Sequence, residues 1–266
     1  MRALLFDIDG TLTKSHGAGT RALAATLHTR PRASEELKRM RLDGMTDRAI
    51  VRILLAAELG HAEPLADASV PSSQPTTAPP AAPHEMVSNV HDLPGPPTIT
   101  ERARSISSAA IEGVIDGYLT ALAHECKQLA YKPQPGIPAL LDALSQRTDV
   151  LLGLCTGNVV KGAELKLTAA GLWHHFSFGG FGSDDESRPE LVKHAVQRAR
   201  DRGATEFLVI DDTPRGVLAA HEGGAKACGV ATGRWSVHDL RVHGAEMTIE
   251  SFADLDRSLA LLLGPL

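Results

Sequence analysis

Leu4-Leu5-Phe6-Asp7-Ile8-Asp9-Gly10-Thr11 puts two carboxylates two residues apart at the point where an apolar run stops. Leu4, Leu5 and Phe6 read as the end of a short buried strand, and Gly10-Thr11 as the turn that releases the chain from it. Side chains alternate along a strand, so Asp7 and Asp9 would share a face, and the glycine bend can bring both over the carboxyl edge of a sheet. A calcium-binding hand is excluded, because its loop needs glycine at the sixth position and here glycine is fourth from Asp7.

The chain has 266 residues, 43% of them hydrophobic, enough to bury a sizeable core in one large domain or two modest ones. Its net charge is −5 and its 27 Lys and Arg are scattered, so there is no footprint for nucleic acid. No apolar run approaches the roughly 18 to 20 residues that span a bilayer. The N-terminus runs straight into the strand without the pattern of a secretory leader, and a cytoplasmic setting is expected. Cys126, Cys155 and Cys228 are odd in number and far apart, which argues against a disulfide framework or a zinc site. No feature selects an oligomeric state.

Three regimes follow along the chain. Up to about Tyr131 the pattern is helical. Leu23, Ala24 and Leu27 lie at helical spacing, Thr46 is placed to cap a helix carrying Ile50, Ile53, Leu54 and Ala57, and 99–130 reads as one long helix or two shorter ones. The stretch 62–98 interrupts this with nine of the sixteen prolines and no aromatic, Lys or Arg, a composition expected of a disordered insertion. From Pro133 onward strand and helix alternate. Strands are expected at 150–155, 176–179, 207–210 and 227–231, with helices at 137–146, 159–170, 190–202 and 214–222. Short apolar strands separated by amphipathic helices predict a parallel sheet covered on both faces, a Rossmann-like three-layer α/β sandwich. The first strand belongs to it. The expected organisation is therefore a core of residues 1–13 and 133–266, with a helical cap, 14–132, inserted after the first strand.

Two further polar clusters fall where a strand meets a helix. Cys155 is followed by Thr156-Gly157-Asn158, and Ile210 by Asp211-Asp212-Thr213-Pro214. Singly, each reads as a helix cap or turn. Together with Asp7 they occupy the edge where open parallel sheets bind ligands.

These motifs resemble those of the haloacid dehalogenase superfamily of phosphohydrolases, in particular members with a helical cap after the first strand, such as phosphoglycolate phosphatases. Asp7-Ile8-Asp9-Gly10-Thr11 matches the nucleophile motif, Thr156-Gly157-Asn158 the phosphate-binding motif and Asp211-Asp212 the metal motif, while Gly229-Val230-Ala231-Thr232-Gly233 resembles the last core strand. The resemblance implies a Mg²⁺-dependent phosphatase acting on a small phosphorylated metabolite. It assigns Asp7 as the nucleophile and Asp9 as the general acid and base. Thr156, Gly157 and Asn158 would hold phosphoryl oxygens, and Mg²⁺ would be held by Asp7, the Asp9 backbone carbonyl, Asp212 and Asp211. The neighbouring activities it leaves open are a sugar-phosphate mutase or phosphotransferase, and a degenerate binding protein.

Two positions depart from the family pattern. The usual lysine-proline motif is replaced by Arg188-Pro189, 24 residues before Asp212, so Arg188 is expected to supply the cation, with Lys193 as competitor. Gly216 stands where many relatives carry a second acidic residue. Gly44-Met45-Thr46-Asp47 resembles a cap loop that faces the leaving group, with Thr46 and Asp47 as candidate substrate contacts; alternatively those two residues simply start a helix. His174 and His175 are expected to be packing or surface residues.

Overall fold

The computed structural model describes residues 1–60, 103–128 and 131–265. The proline-rich 62–98 segment lies outside the described residues.

Six parallel strands form the sheet: β1 (Arg2–Phe6), β4 (Val150–Thr156), β5 (Gly179–Phe181), β6 (Glu206–Asp211), β7 (Lys226–Val230) and β8 (Met247–Ile249). Their order is β5-β4-β1-β6-β7-β8, with β1 hydrogen-bonded in register to β4 on one side and β6 on the other. The chain thus fills one side of β1 and then crosses to the other. Such a reversal opens a crevice at the strands' carboxyl ends.

Alternation along the strands builds the layers. Leu4 and Phe6 of β1 join Leu208, Ile210 and Leu154 in a cluster with helices α5 (Ile137–Ser145), α6 (Val160–Ala169) and α10 (Leu255–Leu263). Ala3 and Leu5 point the other way, into a cluster with α7 (Arg188–Arg200), α8 (Pro214–Glu222) and α9 (Val237–Val242). Both faces of the sheet are covered, which gives the three-layer sandwich expected from near-continuous apolar strands.

Helices α1 (Ala18–Thr26), α2 (Pro31–Arg39), α3 (Asp47–Leu59) and α4 (Ser108–Lys127) pack around a third cluster, including Leu23, Leu37, Leu54, Ile111 and Tyr118, which also takes in Val159 at the start of α6. The chain leaves for these helices through β2 (Thr13–Lys14) and returns through β3 (Lys132–Pro133), which pair antiparallel. Gln134 fastens this ribbon to the first turn: its N–H donates to Leu12 O at 2.9 Å and its Nε2 to Gly10 O at 2.9 Å.

Several boundaries differ from the sequence reading. Phe176 and Phe178 are buried side chains ahead of the ladder, which starts at Gly179. Bare backbone is needed there, since a Cβ on Gly180 would overlap the Leu191 carbonyl of α7. Strand β7 is not the last one, because Met247–Ile249 adds an edge strand beyond it. The helix expected from Glu190 begins at Arg188, with Pro189 in the first turn, where its missing N–H costs nothing. Helix α2 lies in the stretch expected to be helical, where the sequence reading does not delimit it; it buries little beyond Ala33, Glu36 and Leu37.

Candidate active site

Asp7 follows β1 directly, and its N–H donates to Ile210 O at 2.9 Å, so the sheet's hydrogen bonding fixes the base of its side chain. Gly10 has φ +93, and a Cβ there would overlap the Asp212 carboxylate. Glycine is required on both counts, and the close approach brings the first turn against the end of β6. Thr11 Oγ1 completes that contact by donating to Asp212 Oδ1 at 3.2 Å.

Asp7, Asp211 and Asp212 are buried and offer carboxylate oxygens within 4.8 Å of one another. Arg188 bridges Asp7 and Asp211 from the start of α7. Its Nη2 donates to Asp7 Oδ1 at 3.1 Å and to Asp211 Oδ2, while its Nε has no protein partner among the described residues. Burial works against the Arg188 charge, but Asp211 and Asp7 hold the guanidinium firmly protonated. Lys193 instead pairs with Glu190 at 2.7 Å on the exposed side of α7.

The negative charge in this cluster exceeds what Arg188 can balance. Burial, opposed by Arg188 and reinforced by Asp211 and Asp9, pushes Asp7 up to about 7. Burial, Asp211 and Asp7 raise Asp212 well above the carboxylate range. A compact set of hard oxygen donors carrying uncompensated charge fits a small divalent cation. Gly216 fits the same arrangement, because a Cβ there would overlap the Asp211 carboxylate. Asp211 already fills the space in which an acidic side chain at 216 would begin.

Thr156 ends β4 and is fully buried. Asn158 donates through Nδ2 to Thr156 Oγ1 at 2.8 Å and to Asp9 Oδ2 at 2.9 Å, which draws the second motif onto the first. The helical unit closes over this edge at Gly157. A Cβ on Gly157 would overlap the Met45 carbonyl, and Gly157 O accepts from Asp47 N–H at 2.8 Å. Thr46 caps α3 by accepting from Ala49 N–H at 3.2 Å and donates to Glu186 O at 2.9 Å. Asp47 accepts from Val159 N–H at 3.0 Å, and burial raises its carboxyl to about 6. Thr46 and Asp47 therefore start a helix and also touch the sheet's edge.

A cavity of about 250 Å³ lies between the two units. Asp7, Asp9, Thr156, Gly157, Asn158, Arg188, Asp212 and Asp47 line it; Asp211 and Thr46 stand behind the wall. A model of the haloacid dehalogenase-like hydrolases matches residues 1–224. The chain belongs to that family. Among solved structures it is similar to a hydrolase from Pseudomonas syringae, with 20% identity, 97% of this chain and 98% of that chain covered, and a TM-score of 0.63. CbbY from Rhodobacter sphaeroides in complex with phosphate gives 16%, 95% of each chain and 0.60. A haloacid dehalogenase-like protein from Streptococcus pneumoniae gives 18%, 97% of each chain and 0.56. At these identities the likeness is one of fold. No curated protein matches the chain.

One residue at the hydrolase's site escaped the sequence reading. Lys166, on α6, is only 4% exposed and lines the cavity, where its Nζ donates to Asp9 Oδ2 at 2.6 Å and to Asn158 Oδ1. Burial works against its charge, but Asp9, Tyr118 and Tyr131 raise its pKa well above the ordinary lysine value. Its signal was positional, because Ala163, Lys166 and Leu167 share the apolar stripe of the helix. His174 and His175 lie away from the cavity, with His175 Nδ1 3.1 Å from Ser145 Oγ.

Proposed function

We propose that the protein is a Mg²⁺-dependent phosphatase that hydrolyses a small phosphate monoester through an aspartyl-phosphate intermediate. The observation that carries this reading is Asp7 at the reversal point of the sheet, paired with Arg188 and facing the same cavity as Asp9 and Thr156. CbbY, which shares the fold, is also known with xylulose-(1,5)bisphosphate bound. We take the helical residues 14–132 as a cap over a core of 1–13 and 133–266.

An Asp7 carboxylate oxygen attacks phosphorus as the bond to the leaving oxygen breaks. Asp9, protonated, gives its proton to the departing alkoxide; as a carboxylate it then takes one from the water that hydrolyses the aspartyl phosphate. Arg188 holds Asp7 in place through Nη2, leaving the rest of its fork for a phosphoryl oxygen. The Thr156 hydroxyl and the backbone N–H groups of Asp9, Gly157 and Asn158 hold the remaining oxygens. Mg²⁺, held by Asp7, Asp211, Asp212 and the Asp9 carbonyl, would neutralise charge on the phosphoryl group. Asp47 faces the leaving group from the cap, with Thr46 behind it capping α3.

A screen of phosphorylated metabolites with Mg²⁺, with EDTA and an Asp7→Asn variant as controls, tests this. Turnover that both controls abolish is the expected result. Absence of phosphate release from every phosphomonoester would overturn it.

A further inference from the structure

Asp9 would be a poorly fixed group on its own, since its side chain is 40% exposed on a turn and free to rotate. Its Oδ2, however, accepts from Lys166 Nζ at 2.6 Å and from Asn158 Nδ2 at 2.9 Å, while Oδ1 has no partner among the described residues. Lys166 reaches this point from α6, on the cavity between the two units, and binds Asn158 Oδ1 as well, with its Nζ 5.6 Å from the centre of the Tyr131 ring. A lysine this buried persists only when paired. Its pairing spans the first and second motifs at once, so the carboxylate and the phosphate-binding amide are set relative to each other by one side chain from a third element.

We propose that Lys166 is the positioning residue for Asp9, pinning Oδ2 so that Oδ1 is presented to the leaving-group oxygen. Fixing a general acid to within a fraction of an ångström matters because proton transfer needs hydrogen-bond geometry with the departing oxygen. The donor to Oδ2 serves Asp9 as an outer hydrogen bond serves a metal-bound histidine, where removal typically costs about 10- to 100-fold. This inference rests on the assignment of Asp9 as the general acid.

The test compares kcat/KM for p-nitrophenyl phosphate, whose phenolate departs without a proton, with that for glycerol 2-phosphate, whose alkoxide needs one. In Lys166→Met, kcat/KM for glycerol 2-phosphate should fall about 10-fold or more, and for p-nitrophenyl phosphate less than about 3-fold. Lys166→Arg should recover part of the difference. Lys166→Gln serves in its place if the methionine variant fails to fold by circular dichroism. Equal losses on both substrates, no loss, or a change confined to KM would each overturn the proposal. Asp9→Asn, run alongside, must show the same selectivity; if it cripples both substrates alike, the general-acid assignment fails and takes Lys166 with it. If neither substrate nor any other phosphomonoester is turned over by the wild type, the phosphatase reading itself has failed.

Discussion

The carboxylate of Asp211 occupies the volume that a Cβ on Gly216 would need. It is held there by Thr213, whose N–H and hydroxyl both donate to Oδ1 at 2.8 Å, and by Arg188 on Oδ2. Gly216 lies inside α8, where alanine would normally be the better helix former by nearly 1 kcal/mol. Here the overlap should win. Gly216→Ala is expected to destabilise the protein by about 1–3 kcal/mol, as overpacking does, and to lower activity by displacing Asp211. Urea unfolding and kcat/KM check both; a more stable, fully active variant would show that Asp211 can move without consequence.

Arg188 and Lys193 should respond oppositely to removal. Arg188→Ala is expected to lower kcat/KM by one to two orders of magnitude, about 1.4 to 3 kcal/mol of transition-state stabilisation, with Lys193→Ala near wild type. Arg188→Ala also leaves Asp7 and Asp211 buried without their cation, a loss of about 3–5 kcal/mol in comparable pairs. Arg188→Lys keeps the charge without the planar fork and should restore only part of the rate. Steady-state kinetics on folded variants decides between the two cations.

Added Mg²⁺ should raise Tm as well as activity. A ligand bound only by the folded state stabilises it by about 2.7 kcal/mol at one hundred times its Kd. In Asp212→Asn the Mg²⁺-dependent rise in Tm should shrink sharply, whereas the ion-free Tm should hold or increase, because one mutually repelling charge is gone. Differential scanning calorimetry with MgCl₂ and with EDTA measures this without any substrate.

Asp47 makes stability depend on pH in a defined direction. Burial raises its carboxyl to about 6 in the folded protein, so the folded state holds a proton that the unfolded chain has already released. That contribution is complete below about pH 4 and is lost as pH rises through 6. Asp47→Asn removes the penalty while keeping an oxygen for the Val159 N–H. The variant should exceed wild type in stability at pH 7.5 by about 1–3 kcal/mol and lose most of that advantage at pH 4.5, as measured by urea unfolding at the two pH values.

The sheet's loaded edge was legible because its requirements are local. A glycine must follow Asp9 for the turn to pass Asp212, and Thr156 and Asp211-Asp212 must sit at strand ends, so residue type and position agree within a few residues. The family resemblance added Arg188, whose partners lie 181 and 23 residues away and leave no local mark. Lys166 went unread because a lone lysine in a helix usually faces water, although Ala163 and Leu167 put it on the apolar stripe of α6. Strand β8 is three residues long, too short for alternation to register, and β5 was displaced because bulky Phe176 and Phe178 look more strand-like than the glycines that make the ladder.

Thr13 and Pro133 stand directly opposite each other in the β2–β3 ribbon. From the standpoint of the sheet, everything between them departs and returns at one spot, like a side branch on a closed circuit. The strands and the carboxylates at their ends are wired independently of whatever the branch contains, since the sheet's hydrogen bonds and two of the three apolar clusters do not pass through it. The branch can therefore grow, shrink or be exchanged for another roof while Asp7, Thr156 and Asp212 keep their mutual distances. On the proposed division into cap and core, the reaction and the choice of substrate would rest on separately replaceable parts of one chain.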